Sequence, residues 1–222
     1  MKKAKKRLKF ICITVIVITL LLVASSLGLH SPKAPVATTE NGWNLILINK
    51  DNRIPEDYEV KLTKLANGKK VDERIYPELQ KMFNDARASG LSLFVAQGYR
   101  TEEEQQLLLD QKQEAYKNEG NSPKEARKLA EQWVAVPGTS EHQIGIAVDI
   151  NADTEKCKAE DVYDWLADNA HKYGFINRYP ADKTDITGIS NEPWHYRYVG
   201  VDAATEIHKK ALCLEEYIES LK

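Results

Sequence analysis

Cysteine is scarce in this sequence, and its placement narrows the kinds of site that the chain can build. Three cysteines occur among 222 residues, and no two of them form a Cys-x-x-Cys pair. Structural zinc sites usually close all four positions with thiolates, so a site of that type is excluded. Cys12 lies in an N-terminal apolar run, which leaves Cys157 and Cys213 either as a disulfide or as two free thiols.

Long uncharged runs are also rare, and the one that stands out is N-terminal. A basic segment over 1–9 precedes an uncharged run over 10–29. A stretch of about 20 apolar residues can cross a membrane as a helix, with its basic flank in the cytoplasm. We therefore predict a single-pass membrane protein, with a linker over 30–41 and an extracellular domain over 42–222. The competing interpretation is a cleaved signal peptide and a secreted domain, because small residues over 23–26 are typical of cleavage sites.

An excess of positive charge is missing as well. The full chain has a formal net charge of −2. If its basic N-terminal segment stays in the cytoplasm, the exported part is more acidic than that value. Nucleic-acid-binding domains usually carry a basic face, so we expect no nucleic-acid partner. The remaining length is typical of one domain with one core, and we expect a monomer.

Internal repeats are absent, and strands do not alternate regularly with helices. Helical spacing and capping signals predict helices over 77–89, 101–118, 122–133 and 161–173, and from residue 202 onwards. The segments 43–49 and 91–97 are rich in β-prone residues and predict strands. This order favours an α+β fold over a doubly wound sheet.

Two segments separated by residues 150–191 carry the side chains of a metal site. Residues 140–149 are Ser-Glu-His-Gln-Ile-Gly-Ile-Ala-Val-Asp, and residues 192–195 are Glu-Pro-Trp-His. A catalytic zinc takes three protein ligands and keeps a fourth position open, and imidazoles with a carboxylate supply such a set. We predict that His142, Asp149 and His195 bind one zinc ion.

His142 and Asp149 can reach one ion only if the chain reverses between them. Their separation corresponds to about 10 Å along a helix and about 23 Å along a strand, whereas zinc bonds are about 2 Å long. Gly145 is the residue best able to permit a turn. Beyond it, branched residues alternate with small or acidic ones over 146–150. This alternation predicts a strand with Asp149 on the face opposite its buried side chains.

Glu192 and Arg100 add the groups that catalysis would need. Glu192 is predicted to take a proton from zinc-activated water, provided that a bend at Pro193 brings it to the side of His195. Arg100, at a predicted strand-to-helix junction, is a fixed positive charge suited to polarising a scissile carbonyl or stabilising its oxyanion. Each residue alone also fits a packing, turn or surface role. Their joint pattern indicates catalysis.

This joint pattern resembles the VanY-type D-alanyl-D-alanine carboxypeptidases, zinc peptidases that share a fold with the hedgehog signalling domain. The shared motifs are Ser-x-His-x-x-Gly-x-Ala-x-Asp and Glu-x-Trp-His, and further likeness occurs at 97–101, 172–180, 182–188 and 196–200. The resemblance implies a single α+β domain in which a small antiparallel sheet, flanked by helices, carries the zinc site. It also implies the same three zinc ligands.

The resemblance also assigns roles to individual residues. It implies that Glu192 is the catalytic base and acid and that Arg100 stabilises the transition state. Gln97, Ser140 and Trp194 would line the substrate pocket.

The expected activity is that of a zinc-dependent D,D-carboxypeptidase. Its substrates would be peptidoglycan stem peptides ending in D-Ala-D-Ala, and removal of their terminal D-Ala would contribute to glycopeptide resistance. An L,D-carboxypeptidase acting on the tetrapeptide stem is the enzymatic alternative, since relatives with the same zinc motif have that activity. A non-catalytic zinc-containing cell-wall binding domain is the second alternative, but it would need neither Glu192 nor Arg100.

Overall fold

A four-stranded antiparallel sheet positions the site in the computed structural model, which describes residues 34–222. Its strands, numbered together with those of a separate hairpin, are β1 Leu62–Lys64, β2 Lys70–Asp72, β3 Leu93–Gln97, β4 Ala147–Ala152, β5 Phe175–Asn177 and β6 His195–Tyr198. β1 and β2 form the hairpin, and the larger sheet has the order β3-β4-β6-β5 with antiparallel neighbours throughout.

Helices and short 3₁₀ turns occupy much of the remaining chain. The helices are α1 Tyr76–Ala88, α2 Glu102–Asn118, α3 Pro123–Glu131, α4 Ala159–Asn169, α5 Thr184–Thr187, α6 Val201–Lys210 and α7 Leu214–Glu219. The 3₁₀ turns are Trp43–Leu45, Glu141–Ile144, Ala170–Tyr173 and Ala181–Lys183. This mixture of a small antiparallel sheet and helices confirms the α+β fold predicted from the sequence.

Helix α2 begins where its capping signal predicts. The Thr101 hydroxyl accepts a hydrogen bond from the Glu104 backbone N–H at 3.2 Å, and the Glu104 carboxylate accepts one from the Thr101 N–H at 2.9 Å. Together these bonds satisfy two backbone donors at the helix start. α2 packs against α3 around a small apolar cluster that includes Leu109, Ala130 and Val134.

The main hydrophobic core lies between one face of the sheet and the helices α1 and α4. Val148 and Ile150 of β4 are fully buried in it. Leu79 and Met82 of α1 also belong to it, with at most 1% of their surface exposed. Because side chains alternate along a strand, Asp149 emerges on the opposite face. Burial of the core therefore fixes the face on which the acidic site residue lies.

The strand predicted over 43–49 is not formed. Trp43–Leu45 is a 3₁₀ turn, and Asn49 makes only an isolated bridge with Asn52. Ile46 is nevertheless fully buried. The apolar residues of this segment are buried in the core without a partner strand. Burial alone therefore accounts for their pattern, and the predicted strand was wrong.

The predicted membrane span over 10–29 and the basic segment over 1–9 lie outside the described residues. Over 34–222, no helix has both the length and the apolar character that a membrane span needs. The single-pass membrane location predicted from the sequence finds no support in the structure and is corrected accordingly. An apolar run of about 20 residues shows only that a helix formed by it would be long enough to cross a membrane. Sufficient length alone does not establish a membrane location.

Cys157 and Cys213 are free thiols. The Cys157 sulfur lies 3.3 Å from both the backbone nitrogen and the carbonyl oxygen of Ser92. Cys213 is buried at the start of α7. The sequence left open whether these two residues form a disulfide or remain free, and in the structure both are free.

Candidate active site

A turn at Gly145 brings His142 and Asp149 together. His142 lies in the 3₁₀ turn Glu141–Ile144, which ends at Gly145 with a left-handed φ of 71°. A Cβ at Gly145 would lie 3.0 Å from the backbone nitrogen of Asp72, so both conformation and space favour glycine here. The chain then reverses into β4, as the sequence predicts.

His195 approaches from the neighbouring strand. The β4–β6 register places it directly opposite Asp149. The Asp149 Oδ1 atom lies 3.4 Å from His142 Nε2 and 3.2 Å from His195 Nδ1. One ligand atom from each of the three side chains lies within 4.8 Å of the others. The structure thus brings together all three residues predicted as metal ligands.

The hydrogen bonding of these side chains fits a bound metal ion. Asp149 Oδ1 is buried and has no hydrogen-bond partner among residues 34–222, which is uncommon for a buried polar atom. His142 Nδ1 lies 2.8 Å from the Gly98 carbonyl oxygen, so a proton there leaves the Nε2 lone pair facing Asp149. Two imidazoles and one carboxylate form a donor set suited to catalytic zinc.

The charges around the two histidines also favour a cation. Burial lowers the pKa of His195, but its interactions with Asp149 and Glu141 outweigh burial and raise that pKa to about 9. Burial would raise the pKa of Asp149, yet His142 and His195 hold it well below its usual range. The pKa of His142 is lowered, mainly by burial. A metal ion binds neutral imidazoles and would supply the positive charge in place of a proton.

Gly98 supports His142 through its backbone. Its carbonyl oxygen is the partner of His142 Nδ1. A Cβ at Gly98 would lie 2.2 Å from the carbonyl oxygen of Lys70 at the start of β2, a distance that no side chain can adopt. The same Lys70 oxygen accepts a hydrogen bond from the Tyr99 N–H at 2.6 Å. The hairpin strand therefore lies directly against the backbone that holds the histidine.

Glu192 stands beside His195 because the chain bends at Pro193. The His195 N–H donates to the Glu192 carbonyl oxygen at 3.2 Å, and Glu192 Oε2 lies 3.5 Å from His195 Nδ1. Burial, opposed by His195 and assisted by Asp149, raises the pKa of Glu192 to about 7. A carboxyl group that titrates near neutral pH can both accept and return a proton.

Arg100 occupies the junction between β3 and α2 that the sequence predicts. Its Nη1 donates to the Gln105 side-chain oxygen at 2.7 Å, and the Gln105 amide donates to the Ala135 carbonyl at 2.6 Å. Its backbone N–H donates to the His142 carbonyl at 3.1 Å. Burial lowers the pKa of Arg100, and the charge of Asp149 opposes that shift. The Gln105 side chain, itself held by Ala135, thus orients the guanidinium, and the backbone bond ties Arg100 to the turn that carries His142.

A cavity of about 170 Å³ contains the metal-ligand set together with Glu192 and Arg100. Ser140 and Trp194 line it, where the resemblance places them. Gln97 is not among its lining residues. The Gln97 side chain instead accepts a hydrogen bond from Lys69 Nζ at 3.1 Å and donates to the Tyr99 carbonyl at 3.3 Å.

Several residues of the cavity were not predicted as site residues. Gln105, Trp133 and Tyr179 line it, and the Tyr179 ring lies 4.8 Å from the His195 ring. Tyr179 belongs to the segment 172–180, whose likeness to the family was the available signal. Gln105 and Trp133 have no comparable signal, because they reach the cavity through the packing of α2 against α3.

Comparison with known proteins places the chain in a family. The family model described as VanY, D-alanyl-D-alanine carboxypeptidase, matches residues 68–201. A D-alanyl-D-alanine carboxypeptidase of Enterococcus faecalis is 55% identical over 183 residues, which cover 82% of this chain and 68% of that protein. The chain belongs to the VanY family. The resemblance inferred from the two motifs is thereby confirmed.

Solved structures support the same VanY assignment. The structure of VanYB in complex with D-alanine-D-alanine has a TM-score of 0.80 at 56% identity, covering 81% of this chain and 99% of that one. A VanY D,D-pentapeptidase variant from a VanB-type resistance cassette, in complex with Zn(II), has a TM-score of 0.78 at 56% identity, covering 79% and 99%. The LD-carboxypeptidase LdcB has a TM-score of 0.66 at 34% identity, covering 78% and 84%.

Proposed function

We propose that this VanY-family chain is a zinc-dependent D,D-carboxypeptidase that removes the terminal D-Ala from peptidoglycan stem peptides ending in D-Ala-D-Ala. The observation that carries the proposal is the presence of Glu192 and Arg100 in one cavity with the two histidines and the aspartate. One relative bears the name of this activity, and another is described with D-alanine-D-alanine bound. Removal of the terminal D-Ala takes away the target of glycopeptide antibiotics, so the activity would contribute to resistance.

The metal centre is assigned to the three converging side chains. His142, Asp149 and His195 would hold one zinc ion, consistent with the zinc described in the VanY relative. When bound, zinc supplies Lewis-acid chemistry, since it polarises a carbonyl group and lowers the pKa of water to about 7. The Asp149 carboxylate, which faces both imidazoles, balances part of the charge of the ion.

Proton transfer is assigned to Glu192. Its buried carboxyl group, with a pKa of about 7, can accept the proton of the attacking water and later deliver it to the amine of the departing D-Ala. Arg100 contributes a positive charge in a fixed orientation, suited to the oxygen on which negative charge develops. Ser140 and Trp194 line the cavity beside these groups and are assigned to substrate contact.

We assign Gln97 a supporting role in the loop after β3 and no contact with the substrate. Its hydrogen bond to the Tyr99 carbonyl lies next to the Gly98 backbone that holds His142. A direct substrate contact from Gln97 would require its side chain to leave both Lys69 and Tyr99.

Three peptides test the substrate assignment. The full chain with zinc is incubated with a stem pentapeptide ending in D-Ala-D-Ala, the matching tetrapeptide ending in one D-Ala, and free D-Ala-D-Ala, and released D-Ala is measured. We expect the highest kcat/KM for the pentapeptide. Faster release from the tetrapeptide would transfer the assignment to an L,D-carboxypeptidase, and no release from any peptide would contradict the enzymatic assignment.

The L,D-carboxypeptidase activity remains the second candidate, because LdcB shares the fold and 34% of matched residues. The two activities differ in the configuration and length of the peptide on the amino side of the cut, so the preference is decided by the cavity wall rather than by the metal. A binding domain without catalysis would have no use for a carboxyl group whose pKa is raised to about 7 beside the metal ligands.

A further inference from the structure

The two ring nitrogens of His195 face different carboxylates. Nδ1 lies 3.2 Å from Asp149 Oδ1, on the side of the metal ligands, and Nε2 lies 3.6 Å from Glu141 Oε2. Both Nε2 of His195 and Oε2 of Glu141 are buried without a hydrogen-bond partner in the described part of the chain. A shift of a few tenths of an ångström would join them in an N–H···O bond.

Glu141 is held rigidly for such a contact. Its Oε1 atom accepts hydrogen bonds from Arg178 Nε at 2.8 Å and from Arg197 Nη1 at 2.7 Å, and all three side chains are fully buried. The carboxylate cannot rotate without losing both bonds. Because the arginines occupy Oε1, the other oxygen remains for His195.

The arginines are themselves anchored on the side away from Glu141. Arg197 Nη2 donates to the carbonyl oxygen of Ile46 at 2.8 Å. Arg178 donates to both carboxylate oxygens of Glu215, at 2.8 and 2.7 Å. Two cations thus face two anions, which limits the cost of burying the group. This charge-balanced cluster of ion pairs holds its members in place and leaves one oxygen of Glu141 without a partner.

His142 has the equivalent arrangement with a different partner. Its Nδ1 lies 2.8 Å from the Gly98 carbonyl, while its Nε2 is on the metal side. A metal-binding histidine commonly donates its second N–H to a carbonyl or a carboxylate, and this bond fixes the tautomer and the ring orientation. One ligand here is held by a neutral backbone oxygen, and the other faces a buried anion.

We propose that Glu141 is a positioning residue of the metal centre: it accepts a hydrogen bond from Nε2 of His195, which directs the Nδ1 lone pair to the metal, and Arg178 and Arg197 hold it for that purpose. The inference rests on the proposed function only through the zinc ion. Glu141 contacts neither the substrate nor the metal in this role. It lies next to His142 in the chain, yet it acts on His195.

The variant Glu141→Gln tests the proposal through the tautomer. The amide oxygen of Gln should stay with the two arginines, because both are donors, and this turns the amide NH₂ towards His195 Nε2. A donor facing Nε2 favours protonation at Nδ1, the nitrogen that the metal needs. We expect zinc affinity, measured by competition with a chromogenic chelator, to fall by about 10- to 100-fold.

Glu215→Gln is the matched control. It removes the same charge from the same arginine cluster, since Glu215 pairs with Arg178, but it does not face His195. We expect thermal melting to report destabilisation of both variants, and zinc affinity to fall only in Glu141→Gln. Wild-type affinity in a folded Glu141→Gln, or an equal loss in Glu215→Gln, would overturn the proposal.

A measurement on the wild-type full chain decides the matter if Glu141→Gln does not fold. In the zinc-loaded protein, ¹⁵N-resolved NMR of the imidazole groups should find the His195 proton on Nε2. Because zinc on Nδ1 already excludes a proton there, the deciding signal is the Nε2 proton itself. We expect the downfield shift typical of a hydrogen bond to a carboxylate, and the shift of an Nε2 proton without an acceptor would overturn the proposal. Neither zinc affinity nor the tautomer involves a peptide substrate. A failure of peptide cleavage would therefore contradict the proposed function alone, and an unchanged zinc affinity would contradict this inference alone.

Discussion

Glu141 and Glu192 face the same imidazole ring from opposite sides, at similar distances and with opposite electrostatic surroundings. Glu192 lies 3.5 Å from Nδ1 of His195, and Glu141 lies 3.6 Å from Nε2. Burial raises the pKa of Glu192 to about 7. Burial acts on Glu141 in the same direction, but Arg178 and Arg197 outweigh it and hold the pKa of Glu141 well below its usual range.

The difference shows how one residue type acquires two roles around one ligand. Glu141 has its charge matched by two buried arginines, so it remains an anion and serves as a fixed acceptor. Glu192 faces the cavity, and the attraction of His195 and Arg100 does not outweigh its burial. It can therefore exchange a proton near neutral pH.

Removal of the shared ring should abolish the function of both carboxylates. His195→Ala is expected to lose nearly all zinc and all measurable release of D-Ala, because a two-ligand site remains. Atomic emission on the purified full chain measures the metal. The control is His208→Ala, which changes an exposed histidine of α6 and should keep its zinc. A full complement of zinc in His195→Ala would show that the ring is not a ligand.

Glu192→Gln should separate catalysis from metal binding. The substitution keeps size and polarity but removes the proton acceptor, so kcat should fall by about 10²- to 10⁴-fold. Zinc content should stay at the wild-type level, in contrast to the weaker zinc binding expected of Glu141→Gln. Wild-type turnover in Glu192→Gln would mean that another group activates the water.

Arg100→Lys should impair the reaction somewhat less. Lysine keeps the charge but loses the planar donor group that binds Gln105, and the kcat/KM for the pentapeptide should fall by about 10²- to 10³-fold. Arg127→Lys is the control, because Arg127 forms an exposed pair with Glu131 on α3. Equal activity of both variants would remove Arg100 from the site.

Glu215→Gln should affect stability alone, and in a pH-dependent way. Burial would raise the pKa of Glu215, but Arg178 outweighs burial and lowers it. The pair therefore stabilises the fold above the unfolded-state pKa of about 4.3, and the gain is lost as pH falls through the folded-state value. We expect a loss of about 1.5–3 kcal/mol at pH 7. The gap between the wild-type and variant melting temperatures should narrow as pH falls below about 4.3. A gap that does not narrow there would exclude this ion pair as the cause.

Much of the site could be predicted from local sequence. The capping pair Thr101 and Glu104 marks the start of α2, and so fixes the place of Arg100 just before it. Zinc bond lengths require a reversal between His142 and Asp149, and a left-handed glycine provides it at Gly145. These features follow from short-range rules that act over a few residues.

The rest depended on contacts that no short-range rule describes. The arginines that hold Glu141 lie 37 and 56 residues away in the chain, on or beside different strands. Gln97 shares a motif with Arg100, yet its side chain is bonded to Lys69 on the hairpin. The apolar pattern over 43–49 is satisfied by burial alone. Each outcome is set by tertiary packing, which overrides the local signal.

Because Gly98 lies so close to the hairpin, the active site is sensitive to substitutions where the two meet. The smallest added side chain, in Gly98→Ala, would collide with the Lys70 carbonyl and force β2 and the loop after β3 apart. The hydrogen bond from His142 to that loop would move with it. The added methyl group of Gly98→Ala takes part in no reaction, yet it would abolish catalysis by displacing the support of the His142 ring. The hairpin, although it supplies no ligand, is a place where loss-of-function variants should accumulate.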